Sequence, residues 1–214
     1  MNISEFLSDH LAYSVIVVLS LITGLCYYII SCKNKPDFKS NTAVFCASGA
    51  LSVAFSLFVC RTVSTLIFSQ KYGYSTVFSI FYAFASFPVF AFILQKASDR
   101  KFDFNTAVKP VILAIILARI ACITDGCCDG TIYAVKIECA VLLLLFVYDI
   151  VKNNLGYETF CLIYSLWRFT ADFFKLAYKY EKLGPLTLVQ YVALIVALVS
   201  SFVIIYKRRS KNEK

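Results

Sequence analysis

Seven stretches of this 214-residue chain are apolar for close to the length that crosses a bilayer, and that repetition constrains the fold more than any other feature. They run over 11–30, 42–60, 75–95, 107–124, 132–151, 157–178 and 186–206. Hydrophobic residues make up 60% of the chain and charged residues 16%, which is more apolar side chain than a soluble domain of this size can hide. Backbone groups in hydrocarbon must find partners within their own segment, and that requirement selects helices. The pattern therefore predicts an all-α, polytopic membrane protein with about seven transmembrane helices in a single integral membrane domain, 1–214. Pro88 interrupts the third run, while Pro110 and Pro185 stand near the starts of the fourth and seventh, where a first helical turn tolerates proline. Only Glu5, Asp9 and His10 precede the first run as charged or titratable groups, so it reads as a retained helix rather than a cleaved leader.

The formal charge of +8 does not point to nucleic acid, because the cations fall in short connections between apolar runs. Lys33, Lys35, Lys39, Lys96, Arg100, Lys101, Lys152, Lys207, Arg208, Arg209, Lys211 and Lys214 occupy alternate connections and the tail. The other set holds Lys71, Lys179 and Lys182. Twelve against three predicts an N-terminus outside and a C-terminus in the cytoplasm.

Six basic residues remain, within or at the ends of the apolar runs. Lys109 extends the inner basic set, whereas Arg61, Arg119, Lys136, Arg168 and Lys175 are expected in the outer half with Glu138 and Asp172. Arg119 follows the aliphatic run Val111 to Ala118, and an arginine at the centre of a span costs about 2.5–3.5 kcal/mol by insertion scales. Snorkelling to the nearer face is the plainer account of Arg119 alone. Arg168 and Asp172 are four residues apart, on one helical face, and Lys136 lies near Glu138, so ion pairs are one reading. A surplus of cations suits an anionic group such as a lipid phosphate, which a planar guanidinium meets with two donors. Most of the nine cysteines, among them Cys26, Cys46, Cys60, Cys139 and Cys161, lie in apolar runs as small hydrophobes. With His10 the single histidine and no zinc-ligand spacing, neither a metal site nor a cofactor is expected.

Two blocks carry a resemblance. Arg119-Ile-Ala-Cys-Ile-Thr-Asp-Gly126-Cys-Cys-Asp-Gly130 resembles the R-I-G-[CN]-[FL]-x-x-G-[CE]-x-x-G stretch of the bacterial prolipoprotein diacylglyceryl transferases. Arg168-Phe-Thr-Ala-Asp172-Phe-Phe-Lys175 resembles that family's R-F-x-x-E-F-F-R, and Gly184-Pro-Leu-Thr187-Leu-Val-Gln190 follows at a similar distance. Weaker echoes are Tyr13 in the first run, Tyr82 near a family H-G-G or Y-G-G loop whose glycines are missing here, and Glu138 for the glutamate of P-T-Q-L-Y-E. Ala121 replaces a family glycine, Asp172 a glutamate and Lys175 an arginine.

The resemblance implies a multi-pass protein of the bacterial plasma membrane. Its reaction would move a diacylglyceryl group from phosphatidylglycerol to the lipobox cysteine thiol of a prolipoprotein, with glycerol phosphate departing. Phospholipid and prolipoprotein signal peptides would be its partners. Arg119 and Arg168 would stabilise the phosphate, helped by Arg61 and Lys136, with Glu138, Gly126, Gly130 and Gln190 in the substrate site. The thiol must lose a proton, and Tyr13, Tyr82, Glu138 and Asp172 are all candidates to take it. Two other readings stay open: a non-catalytic lipid- or partner-binding relative of the same fold, and an anion transporter, which would place charges at the midplane.

Overall fold

The computed structural model describes residues 11–35, 37–60, 62, 80–99, 102–125, 132–174 and 182–212. Among them are seven α-helices: α1 Leu11–Cys32, α2 Phe38–Phe58, α3 Ile80–Ala97, α4 Phe104–Asp125, α5 Ile132–Lys152, α6 Tyr157–Ala171 and α7 Leu188–Asn212. Five of these, α1 to α4 and α7, are long and apolar enough to cross a membrane. The fold is thus all-α and of membrane type, with a narrower set of clear spans than seven. The reason is local. Lys136, Glu138, Asp149 and Lys152 fall inside α5, and α6 is only 15 residues long.

Several boundaries differ from expectation. The sixth apolar run ends as α-helix at Ala171 and tightens into a 3₁₀ turn over Asp172–Phe174. Pro110 lies inside α4 rather than at its start. Pro185 does not begin a helix. It sits with Gly184 in the loop of a two-stranded antiparallel hairpin, β1 Lys182–Leu183 and β2 Leu186–Thr187, paired Lys182 to Thr187 and Leu183 to Leu186. Gly184 has φ 75°, a conformation that a side chain would strain.

Helix packing follows chain order except at α1. α1 packs mainly along α4, α2 along α3, α6 along α7, and α5 chiefly on α4. The α1–α4 crossing depends on Gly24, where a Cβ would lie 3.0 Å from both Ala114 Cβ and the Pro110 carbonyl oxygen. Small residues let helix backbones approach without a water-driven hydrophobic effect to press them together. Between the helices an aromatic ladder runs from Tyr28 stacked on Phe45 at 3.9 Å, through Phe87, Tyr157 and Phe160, to Tyr164.

At the end of the bundle that carries Lys35, Lys109 and Lys207, side chains tie the helix ends together. Lys35 Nζ meets Asp103 Oδ2 at 2.9 Å and also bonds Thr106. Lys109 Nζ donates to Asn153 Oδ1 at 2.6 Å, and Lys207 pairs with Glu158 at 3.0 Å. Asp149, buried near the end of α5, accepts from Leu155 N at this end, whereas Arg119, Glu138, Arg168 and Asp172 are buried at the opposite one.

Candidate functional site

Arg119 stands in the last two turns of α4, Glu138 in the second turn of α5, and Arg168 in the last turn of α6. The helices alternate in direction, so these positions share one end of the bundle. All are buried: Arg119 is 6% exposed, Arg168 3%, Glu138 1% and Asp172 0%.

Glu138 is the centre of the arrangement. Arg119 Nε donates to its Oε1 at 2.8 Å, and Arg168 Nη1 reaches Oε2 at 3.5 Å. The Tyr164 hydroxyl donates to Oε1 at 2.8 Å. Two guanidinium groups from separate helices therefore converge on one carboxylate. Arg168 Nη2 also reaches Asp172 Oδ1 at 3.5 Å, one helical turn on. Its other face lies over the Phe81 ring of α3, 5.8 Å from the centroid, within cation–π range.

Asp172 is fixed from the other side by Thr187, the residue just before α7. Thr187 donates its hydroxyl to Asp172 Oδ2. Thr187 and Gln190 form a reciprocal capping box: Gln190 N donates to Thr187 Oγ1 at 3.1 Å, and Thr187 N donates to Gln190 Oε1 at 2.9 Å. Gln190 Nε2 then donates to the Phe169 carbonyl at 3.2 Å. The start of α7 is thereby clamped to the end of α6, and a carboxylate faces the positive end of a helix dipole.

The arrangement leaves donor capacity unspent. Arg119 Nη2 and Arg168 Nε have no hydrogen-bond partner among the described residues. Arg119 Nη1 meets the Cys122 sulfur at 3.9 Å. Both contacts of Arg168 to carboxylates, at 3.5 Å, exceed an ordinary N–H···O distance. A buried guanidinium with idle donors favours an added anion, since unmatched buried donors cost free energy. Within this cluster the two arginines and two carboxylates balance, so the net positive pocket expected from sequence does not arise from these four groups.

Of the other expected residues, Lys136 is exposed, and it forms no ion pair with Glu138. It stands two positions from Glu138, and residues two apart on a helix do not face each other. The anticipated Lys136–Glu138 pairing gives way to Arg119–Glu138. Tyr82 is buried, but the α3 ring that reaches Arg168 belongs to its neighbour Phe81. Tyr13 lies in the first turn of α1, with its side chain outside the described set, and Arg61, Gly126, Gly130 and Lys175 lie outside the described residues.

Two groups escaped the sequence reading of the site. Tyr164 lies four residues before Arg168 and eight before Asp172, so one stripe of α6 was legible as spacing. Thr187 was legible as the T-x-x-Q signature ahead of the last apolar run. Compared with known proteins, the chain matches no family model, no curated protein and no solved structure.

Proposed function

We propose that Arg119 and Arg168 hold the phosphate of an anionic phospholipid, and that the chain transfers a diacylglyceryl group from phosphatidylglycerol to the lipobox cysteine thiol of a prolipoprotein. One observation carries the reading: two buried guanidinium groups from different helices meet at one carboxylate with donors to spare. With the N-terminus outside, as the distribution of lysine and arginine predicts, this end of the bundle faces the outer leaflet of the bacterial plasma membrane. The thiol sulfur would bond to the glyceryl carbon, the carbon–oxygen bond to phosphate would break, and glycerol phosphate would leave with the electron pair. Preorganised cations stabilise that charge at no reorganisation cost. Glu138 and Asp172 already accept from arginine and from hydroxyl groups. They serve as anchors that orient the arginines, which leaves Tyr13 and Tyr82 to test as proton acceptors, a role in which the phenol must first be ionised beside a cation to take the thiol proton.

A non-catalytic, lipid-binding relative is the second reading, favoured by the charge balance within the buried cluster. A transporter gains no such support, because the cluster lies at one end of the bundle rather than at its middle.

The deciding assay combines purified protein in phosphatidylglycerol vesicles with a synthetic lipobox peptide, scored by mass spectrometry for the diacylglyceryl thioether. The wild type should form it, and Arg119→Ala and Arg168→Ala should each abolish it while remaining helical by circular dichroism. Full activity in either variant refutes the proposed roles. A wild type that binds phosphatidylglycerol without forming thioether supports the second reading.

A further inference from the structure

A groove of about 550 Å³ lies between α1 and α2, backed by α3 and α4. That size is ordinary for a ligand site. Its lining is apolar apart from Cys46 and Ser52, and the Ser52 hydroxyl is turned to the Ser48 carbonyl at 2.6 Å. The four helices that form it are all long and apolar enough to span a membrane. Water in such a place would have no partners, and a void would forfeit dispersion contacts along its whole lining. The apolar molecule that surrounds a spanning helix is a lipid chain.

The groove is also open where a chain would enter. α1 and α2 are consecutive and meet where Tyr28 stacks on Phe45, yet each packs mainly elsewhere, α1 on α4 and α2 on α3. Ile22 and Leu57 at the rim are exposed at 50% and 41%. Gly49 contributes bare backbone to one wall, and a Cβ built there meets nothing within 4 Å.

Its inner wall leads to the charged cluster. Ile115 lines the groove one turn before Arg119, on the same face of α4. Phe84 lines it too and meets the Tyr164 ring edge-on, with centroids 5.0 Å apart. Tyr164 in turn holds Glu138. We infer that this groove seats one acyl chain of the phospholipid whose phosphate is held at Arg119 and Arg168. The register of the chain rests on that headgroup reading, whereas the seat itself rests on the groove.

Photocrosslinking tests it, using the full chain in vesicles doped with phosphatidylglycerol carrying a diazirine on one acyl chain. Labelled peptides are read by mass spectrometry. Label is expected on the groove walls, at Ala83 and Phe84, and should fall to background in Gly49→Phe, which fills the space. Gly49→Ala adds a methyl group to open space and should keep the label. Ala54→Phe, on the same wall, gives a second occlusion if Gly49→Phe fails to insert. Label confined to outward faces such as Leu144 and Leu198, unchanged by either phenylalanine, overturns the inference. Equal groove labelling from a diazirine diacylglycerol, which has no phosphate, supports the seat and overturns the headgroup reading.

Discussion

Arg119 donates through Nε to Glu138 Oε1 at 2.8 Å, joining α4 to α5 by a bond between residues that are 6% and 1% exposed. Neither group is tolerable alone in that setting. A charge in a low-dielectric interior persists because its partner and further hydrogen bonds offset the lost hydration.

Removing the carboxylate should therefore harm the fold more than removing an ordinary ion pair. Glu138→Gln leaves two buried guanidinium groups without their shared anion, and breaking a buried pair this way costs about 3–5 kcal/mol. Unfolding in a denaturing detergent series should show that loss. Glu138→Gln combined with Arg119→Met should recover part of it, because one orphaned charge is gone. If the double variant is as unstable as the sum of its parts, the two side chains are not coupled.

The junction of α6 with α7 makes a smaller, separable contribution. Thr187→Ala removes the cap hydroxyl and the donor to Asp172, whereas Thr187→Ser keeps both. Loss of a cap costs about 0.5–2 kcal/mol. The alanine variant should lower the unfolding midpoint accordingly, with faster amide exchange in the first turn of α7. The serine variant should stay close to wild type.

Gly24 tests the helix crossing. A Cβ there would stand 3.0 Å from Ala114 Cβ and from the Pro110 carbonyl oxygen, and neither atom belongs to a flexible side-chain end. Gly24→Leu should separate α1 from α4 and destabilise by about 1–3 kcal/mol, as overpacking does. Gly49→Leu, placed in open space, should be well tolerated. Comparing the two in one unfolding assay isolates close approach from helix propensity.

At the other end of the bundle, Asp103 gives a pH dependence whose sign is fixed by geometry. Partial burial alone would raise its carboxyl, but Lys35 Nζ at 2.9 Å and the Thr106 hydroxyl hold it below the ordinary aspartate range. The folded state thus takes up this proton less readily than the unfolded chain. Its stabilisation is complete above the unfolded value of about 3.9 and disappears as pH falls through the lowered folded value. Lys35 and Asp103 are 43% and 45% exposed, which limits the effect to about 0.2–1 kcal/mol. Denaturation midpoints between pH 7 and pH 2 should show the wild type losing this increment, with Asp103→Asn flat and the two converging in acid.

Which segments are helical was legible in the residues, because long apolar runs in hydrocarbon admit only self-bonded backbone. The boundaries that slipped were decided by contacts beyond each run. Asp172 leaves the α-helix for a 3₁₀ turn where Thr187 holds it, and Pro185 turns a hairpin instead of opening α7. The site was legible in part. Arg168 and Asp172 meet because four residues make one turn, a relation written in sequence spacing. Glu138 was legible as a buried-end acid, but its partner was not, since a two-residue separation from Lys136 says nothing about which helix it faces.

By itself the sequence determined an all-α membrane-type chain, one end rich in solvated cations, and ionisable residues gathered towards the other end. Only the tertiary structure decided that Arg119 and Arg168 share Glu138, that Tyr164 also donates to it, and that an apolar groove lies beside them. The physical reason is rotational. Hydrophobicity and period fix where a helix lies along the chain and which residues share its face, while the azimuth of that face towards another helix is set by packing partners such as Gly24 against Ala114, which are distant in sequence.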